Sequence, residues 1–253
     1  MEHELSRLEL LYGRSALERL AQAHVAVFGL GGVGGYVVEA LTRSGVGALD
    51  LIDHDVVSVS NINRQIIATH STVGMLKTEV AKSRILDINP GCQVRTFQTF
   101  FLAETAGEFD FHSYDYVVDA VDTVTAKLLL AQLAQTTGVP LISAMGTGNK
   151  CHPEMLEVSD IYDTTVCPLA RIMRKECRRR GIEHLKVVWS REEPLVPQMP
   201  DAASGDNAAC ESEQQESIYG KKRQTPGSTA FVPAAAGLLI AAEVVNDLTA
   251  KYR

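Results

Sequence analysis

Cysteine pairs are the first feature that this sequence lacks. Its five cysteines are odd in number and widely spaced, and no two of them form a C-x-x-C pair: Cys92, Cys151, Cys167, Cys177 and Cys210. This pattern offers neither a disulfide framework nor the paired ligands of a zinc ribbon. We therefore expect no bound zinc, and we interpret each cysteine as a small buried or incidental residue.

An excess of positive charge is also missing. The 253-residue chain carries a formal net charge of −7, which argues against a protein that coats nucleic acid through its overall electrostatic field. A local basic patch is still compatible with this acidic average.

Targeting segments are absent as well. The stretch MEHELSRLELLYG is acidic and amphipathic and lacks the basic region and apolar run of a secretory signal. The most apolar late stretch, 230–245, contains Pro233 and Glu243 and is shorter than the roughly 20 residues of a membrane span. We expect a cytoplasmic protein without a stable membrane span, and a buried helix that begins near Pro233, with membrane contact of that helix as a minor alternative.

What the sequence does contain is an alternation of strand-like and helix-like stretches. Helical periodicity over 6–22 precedes an apolar strand that runs HVAVFG. The pattern then predicts helices at 34–44, 77–89 and 124–136, and strands at 49–55, 92–98, 114–122 and 140–146. Helical crossovers between strands indicate a doubly wound, mostly parallel sheet with helices on both faces, which is a Rossmann-like α/β fold.

We predict one domain over 1–253, with a nucleotide-binding core at 1–150 and a C-terminal elaboration at 151–253. The elaboration contains strand-like stretches at MLEVSDI and 184–190 and a predicted helix over 168–181. Residues 197–217 are polar, with almost no large apolar side chains, and are predicted to form a mobile surface loop.

The first strand runs into a glycine-rich turn, GLGGVG. Gly29, Gly31 and Gly34 fit G-x-G-x-x-G, and Asp53 follows nineteen positions after the last glycine, at the end of the next strand. Such glycines let the backbone approach phosphates at a helix N-terminus, and the carboxylate accepts hydrogen bonds from ribose hydroxyls. The pattern predicts a bound nucleotide without deciding between NAD, FAD and ATP.

Charged residues further along favour a triphosphate. Arg64, in SNINRQ, and Lys77 are suited to neutralising charge as phosphate bonds break. Asp122 lies at the carboxyl end of the fourth predicted strand, where a carboxylate can hold Mg²⁺ against phosphates. Asp119, within that strand, is interpreted as structural. No His or Tyr-Lys arrangement for hydride transfer is evident, which disfavours an NAD enzyme.

Five stretches, GLGGVG, LIDHD, SNINRQ, STVGMLKTEVA and DAVDT, resemble in order and spacing the ThiF/MoeB superfamily of adenylating enzymes, relatives of the ubiquitin-activating enzymes. The resemblance implies ATP and Mg²⁺ as cofactors and a homodimer. It implies that Asp53 binds ribose, that Lys77 contacts phosphate and that Asp122 binds Mg²⁺. The implied ATP-binding set is Gly29, Gly31, Gly32, Gly34, Asp53, Asp55, Ser60, Asn61, Asn63, Arg64, Gln65, Lys77, Asp122 and Thr123.

The same resemblance implies a catalytic residue supplied across the dimer. Members of the superfamily use an N-terminal arginine that reaches into the ATP site of the partner subunit. Arg7 matches that position and Arg14 is the alternative. With Arg7 included, the implied catalytic set is Arg7, Arg64, Lys77 and Asp122.

Later segments resemble one branch of that superfamily, the tRNA threonylcarbamoyladenosine dehydratases, over essentially the whole chain. These segments are LSRLELLYG, 142–164, PLARIMRKECRRRGI, VVWSREEP and 226–248. The resemblance implies ATP-dependent cyclisation, by dehydration, of N6-threonylcarbamoyladenosine in tRNA, with the threonyl carboxylate activated as an acyl-adenylate.

Two other functions stay open. One is adenylation of the C-terminus of a ubiquitin-like sulfur-carrier protein, although such enzymes usually carry two C-x-x-C pairs, which this chain lacks. The other is a non-catalytic nucleotide-binding module that partners a cysteine desulfurase or another sulfur-relay protein. The intact set of Arg64, Lys77 and Asp122 argues against the second.

A tRNA substrate needs a basic surface, and two clusters could provide it. Their members are Arg171, Arg174, Lys175, Arg178, Arg179 and Arg180 in the helix 168–181, and Lys221, Lys222 and Arg223 further on. The alternative interpretation of the helix is a solvated charged face without a ligand.

Overall fold

The computed structural model of the protein describes residues 3–197 and 226–252. Most of the predicted loop at 197–217 and the cluster formed by Lys221, Lys222 and Arg223 lie outside the described residues.

Helices and strands alternate along the described part of the chain. The helices are α1 (Ser6–Tyr12), α2 (Arg14–Gln22), α3 (Gly34–Arg43), α4 (Lys77–Ile88), α5 (Val124–Thr137), α6 (Pro168–Arg180) and α7 (Phe231–Thr249). The strands are β1 (His24–Phe28), β2 (Ala48–Ile52), β3 (Gln93–Phe97), β4 (Tyr116–Asp119), β5 (Leu141–Ala144), β6 (Leu156–Asp160) and β7 (Lys186–Ser190).

The seven strands form one sheet in the order β3-β2-β1-β4-β5-β7-β6. All neighbouring pairs are parallel except β6 and β7, which are antiparallel. The strand order reverses direction between β1 and β4, and ligands of such sheets bind at the carboxyl ends of the strands at this switch point. The predicted Rossmann-like fold is confirmed, and the GLGGVG turn lies at the switch point.

The central strands are buried on both faces because helices cover each side of the sheet. Val25 and Val27 of β1 pack in one core cluster with residues of α3, α4 and α7. Ala26 and Phe28 point to the opposite face, where they pack with α5 and with Phe101, Phe109 and Phe111. This two-sided burial explains why the strands are apolar runs rather than alternating patterns.

Some predicted boundaries differ from the observed ones. The helical stretch at 6–22 is two helices, because Gly13 at φ 79° and ψ 164° leaves the helical conformation between them. Strand β4 ends at Asp119, so Asp122 lies in the loop beyond the strand. The last helix begins at Phe231, and Pro233 occupies its first turn, where the missing proline N–H costs no helical hydrogen bond.

Helix α7 is long and apolar enough to cross a membrane by length and composition alone, and close to half of the relevant window is buried inside the protein. Its buried side chains, which include Ala236, Ile240 and Val244, pack in the core beside α3. Its burial agrees with the predicted buried helix.

Candidate functional site

The turn after β1 is so tight that two of its residues must be glycine. Gly29 has φ 91°, and a Cβ atom there would lie 2.6 Å from the carbonyl oxygen of Ala120. A Cβ at Gly34 would lie 1.8 Å from the carbonyl oxygen of Gly29. The turn therefore packs directly against the residues that follow β4, which brings the loop containing Asp122 beside it.

The middle of the turn offers free backbone donors. Among residues 3–197 and 226–252, no protein group accepts a hydrogen bond from the amides of Gly31 and Gly32. A Cβ at Gly31 would meet nothing within 4 Å. These amides lie at the N-terminus of α3, a ten-residue helix, where the helix dipole favours negative charge. The turn thus has the chemistry of a phosphate-binding loop.

Asp53 ties the end of β2 to this turn. Its carboxylate is buried, with Oδ2 accepting from the amide of Leu30 at 2.6 Å and Oδ1 accepting from the amide of Asp55 at 2.8 Å. Each carboxylate oxygen has a second lone pair. The contact of Asp53 with a ribose stays a prediction.

The stretch SNINRQ folds over the same turn. Arg64 lies against Gly32, whose Cβ position would be 3.6 Å from the Cγ atom of Arg64. One nitrogen of the Arg64 guanidinium donates to the carbonyl of Ser60 at 2.8 Å and to Oδ1 of Asn63 at 3.0 Å. These bonds hold the cation beside the phosphate-binding turn.

Two other members of this stretch are buried. Asn61 is 2% exposed, and its Oδ1 accepts from the amide of Ser58, so the side chain closes the local turn. Gln65 is 6% exposed, and its Oε1 has no hydrogen-bond partner in the described part of the chain. Buried polar atoms normally have partners, so the unpaired amide oxygen of Gln65 fits a site that a ligand with a hydrogen-bond donor completes.

Lys77 is engaged by Asp55. Its Nζ donates to Oδ2 of Asp55 at 2.7 Å, and the other carboxylate oxygen of Asp55 lies 2.8 Å from Nε2 of His54. The side chain of Lys77 is only 6% exposed. The pair joins the start of α4 to the loop after β2, so both residues lie on the side of the site formed by β2.

The aspartate at the end of β4 and the aspartate in the loop after it have different environments. Asp119 is fully buried, where it pairs with Lys127 at 3.1 Å and accepts from the hydroxyl of Ser143 at 2.6 Å. Asp122 is exposed, and its carboxylate has no polar partner among the described residues. Thr123 follows it as the N-cap residue of α5. An exposed carboxylate oxygen beside a phosphate-binding turn is chemically suited to Mg²⁺.

Arg7 and Arg14 lie away from this site. Leu5, next to α1, touches Gly45, which follows the far end of α3. Helix α3 starts at the glycine turn and its ten residues span about 15 Å. Arg7 is exposed, and Arg14 pairs with Glu18 at 3.1 Å. The structure therefore does not bring either arginine to the site of its own subunit.

Three of the basic residues of α6 are bound within the protein. Arg174 donates to the carbonyl of Thr164 at 2.7 Å, and Arg179 and Arg180 approach Oε2 of Glu176 at 2.6 and 3.6 Å. Arg178 lies over the ring of Tyr162, with its Cζ 5.1 Å from the ring centroid.

The remaining two cations of α6 are free. Arg171 and Lys175 are exposed, with no hydrogen bond or ion pair to any residue in 3–197 or 226–252. Together with Arg178 they are spaced i, i+4 and i+7, which places them on one face of the helix. We call Arg171, Lys175 and Arg178 the basic stripe.

Several residues at the site were not predicted from the sequence. Pro233 lies 3.1 Å from the Cβ position of Gly32, so the start of α7 closes one side of the turn. Asn149, after β5, binds the segment that leads into α7. Its neighbour Lys150 donates to the carbonyl of Gly146 at 2.9 Å, and burial lowers the pKa of this lysine. The sequence feature that could have indicated Asn149 is an asparagine between a glycine and a lysine in the loop after a predicted strand.

The chain is similar to known proteins over nearly its full length. The ThiF family matches residues 5–252. The tRNA threonylcarbamoyladenosine dehydratase of Bacillus subtilis is 41% identical over 98% of this chain and 95% of its own length. The Escherichia coli protein of that name is 33% identical over 95% of this chain and 91% of its own length.

A solved structure extends the similarity to three dimensions. The crystal structure of E. coli TcdA, a tRNA N6-threonylcarbamoyladenosine dehydratase, in complex with ATP matches with a TM-score of 0.84 and 30% identity. The match covers 98% of this chain and 94% of that chain. This chain belongs to the ThiF family.

Proposed function

We propose that this protein is an ATP-dependent enzyme that cyclises N6-threonylcarbamoyladenosine in tRNA by dehydration. The observation that carries the proposal is the similarity to tRNA threonylcarbamoyladenosine dehydratases over nearly the full length of both chains. The free amides of the glycine turn, with Arg64 against that turn, support the use of ATP in particular.

ATP would bind with its ribose at Asp53 and its phosphates at the amides of Gly31 and Gly32. Arg64 would neutralise the triphosphate from one side. Lys77, buried and paired with Asp55, would exchange this partner for phosphate oxygens as charge develops there. Asp122 would hold Mg²⁺, which would supply further neutralisation of the phosphate charge.

Activation makes ring closure possible because a carboxylate is a poor electrophile. An oxygen of the threonyl carboxylate attacks the α-phosphorus of ATP, and the bond to pyrophosphate breaks. An internal nucleophile of the modification then attacks the acyl carbon, and AMP leaves with the former carboxylate oxygen. The nucleoside thereby loses one water. Both reacting groups belong to one modified nucleoside, so the closure is intramolecular and needs no enzyme cysteine.

Two buried thiols agree with a scheme that uses no cysteine. Burial raises the pKa of Cys92 to about 11, and burial likewise raises the pKa of Cys177 to about 11. Thiols of that kind are protonated and unreactive at neutral pH. Among the cysteines in 3–197 and 226–252, only Cys151 is exposed.

A homodimer would supply Arg7. Helix α1 starts near the far end of α3, too far from the glycine turn of its own subunit for Arg7 to reach it. Leu10 and Leu11 of α1 are 86% and 79% exposed, and a second copy of the chain would bury such an apolar pair. We infer that the partner's Arg7 contacts the phosphates.

The basic stripe would bind tRNA. The first turn of α6 lies near Gly146, just beyond the end of β5. The basic stripe therefore begins close to the edge of the sheet where the nucleotide is proposed to bind, and it continues along α6. Phosphate contacts by these residues would let tRNA bind despite the net charge of −7. A tRNA substrate also supports a cytoplasmic location.

The proposal is tested by incubating the full-length protein with ATP, Mg²⁺ and tRNA that carries the threonylcarbamoyl modification. Mass spectrometry of the nucleosides should show the loss of one water from the modified adenosine, with AMP as the nucleotide product. Arg64→Ala and Asp122→Ala should abolish turnover. An unchanged mass of the modified adenosine would contradict the proposal. ATP-dependent adenylation of a sulfur-carrier C-terminus would support the alternative function instead.

A further inference from the structure

Asn149 occupies an unusual backbone conformation at the edge of the site. Its φ of 58° is the one positive φ of a non-glycine residue in the described part of the chain, and asparagine tolerates this conformation better than most residues. The backbone N–H of Asn149 donates to the carbonyl of Gly227 at 2.7 Å, and its side-chain Oδ1 accepts from the amide of Gly227 at 2.6 Å. Its carbonyl accepts from the amide of Leu195 at 2.8 Å.

The segment held by Asn149 reaches across to Arg64. We call residues 226–228 the strap. The carbonyl of Ser228, at the end of the strap, accepts from Nδ2 of Asn63 at 3.1 Å. Oδ1 of Asn63 in turn accepts from the guanidinium of Arg64 at 3.0 Å. Hydrogen bonds at both ends of the strap, joined by its backbone, therefore connect the loop after β5 to the cation beside the glycine turn.

We propose that Asn149 is a positioning residue for Arg64. The strap fixes the orientation of the Asn63 side-chain amide, because the backbone carbonyl of Ser228 can accept a hydrogen bond only from the nitrogen of that amide. The oxygen end then faces Arg64. Without the strap, Asn63 is free to rotate, and Arg64 keeps only its bond to the carbonyl of Ser60.

Positioning matters here because an arginine side chain has much rotational freedom to lose. A guanidinium that is already held in place binds a triphosphate at a lower entropic cost than one that must be ordered by the ligand. Asn149 would therefore strengthen ATP binding without touching ATP.

This inference rests on the proposed function at one point, the assignment of Arg64 as a ligand of ATP. The readout is the Kd of the full-length protein for ATP with Mg²⁺ and without tRNA, measured by equilibrium dialysis. Binding is measured in place of turnover, so variants that do not complete the reaction are still informative.

Three substitutions of Asn149 distinguish the effect of losing its side-chain hydrogen bond from the effect of straining its backbone. Asn149→Ala and Asn149→Gly both remove the side-chain bond to Gly227 and keep the backbone bond, and glycine does so without backbone strain. Loss of this bond should raise the Kd for ATP about five- to tenfold in both variants. Asn149→Asp keeps an acceptor oxygen and should bind ATP nearly as well as the wild type. The matched control is Asn89→Ala, which removes a bond to the carbonyl of Val46 away from the site.

The double variant Arg64→Ala/Asn149→Gly decides whether Asn149 acts through Arg64. If it does, the double variant binds ATP no more weakly than Arg64→Ala alone. Additive losses would overturn the inference, as would an unchanged Kd in Asn149→Gly or a loss in Asn89→Ala of equal size. If Arg64→Ala itself leaves the Kd unchanged, the assignment of Arg64 fails, and this inference fails with it.

Discussion

Asp50 is a buried carboxylate that joins four parts of the chain away from the nucleotide site. It is 1% exposed in β2 and accepts from Arg95 at 2.6 and 2.8 Å, from Tyr114 at 2.8 Å and from His24 at 3.0 Å. Burial opposes ionisation of this carboxyl, but the hydrogen bonds from His24, Arg95 and Tyr114 outweigh it and lower its pKa.

This cluster predicts a loss of stability in acid. Because the pKa of Asp50 is lower in the folded than in the unfolded state, the ionised carboxylate stabilises the fold above the unperturbed value of 3.8. The contribution disappears as the pH falls through the folded-state value. Asp50→Asn should reduce the free energy of unfolding at pH 7 by about 1–3 kcal/mol, and the difference from wild type should shrink below pH 3.8.

Urea unfolding at several pH values measures this difference. The control is Asp87→Asn, an exposed carboxylate of α4, which should change the free energy of unfolding little at any pH. If the difference in free energy of unfolding between Asp50→Asn and wild type stayed constant from pH 7 to below pH 3.8, the assignment would be contradicted.

At the residue scale, the predictable part of the site was the part with local causes. The tight turn between β1 and α3 requires glycine at positions 29 and 34. Asp53 lies directly after the next strand, β2. Asn149 and Pro233 reach the site through contacts between segments far apart in sequence. Nothing in the local pattern around Asn149 specifies that its partner is Gly227.

At the scale of elements, the sequence pattern predicted the sheet well because buried parallel strands form continuous apolar runs. It failed at 6–22, where leucine periodicity continues across Gly13 although the backbone does not. Helical spacing also showed that α6 is basic, but not which cations are free. Which cations are free depends on Glu176, Thr164 and Tyr162, which contact the other basic side chains of α6.

The free cations of α6 make a prediction about tRNA binding. Arg171→Ala/Lys175→Ala should weaken tRNA binding and lower the slope of log Kd against log salt concentration by about 2, since each lost phosphate contact contributes about 1. The Kd for ATP should be unchanged. Filter binding of the modified tRNA over a series of salt concentrations measures the slope.

A matched control keeps the charge change but moves it to another surface. Arg43→Ala/Arg84→Ala also removes two positive charges, from arginines that pair with Glu39. Equal salt slopes for the two double variants would mean that only net charge matters, and the basic stripe would then not be the tRNA surface.

At the scale of the whole molecule, the separation between α1 and the glycine turn requires a second subunit if Arg7 takes part in the reaction. In a symmetric dimer each subunit would receive the partner's Arg7 and provide its own Asp122. Two inactive variants would then complement each other, because a mixed dimer of Arg7→Ala and Asp122→Ala contains one complete site.

The prediction is tested with mixed dimers isolated through two different affinity tags. A dimer of one Arg7→Ala and one Asp122→Ala subunit should have about half of the wild-type activity, because one of its two symmetric sites is intact. Each homodimer should be inactive. If Arg7 acted within its own subunit, the mixed dimer would have no complete site and would also be inactive. Arg14→Ala provides the control, since an active homodimer of that variant excludes Arg14 as the arginine that crosses the interface.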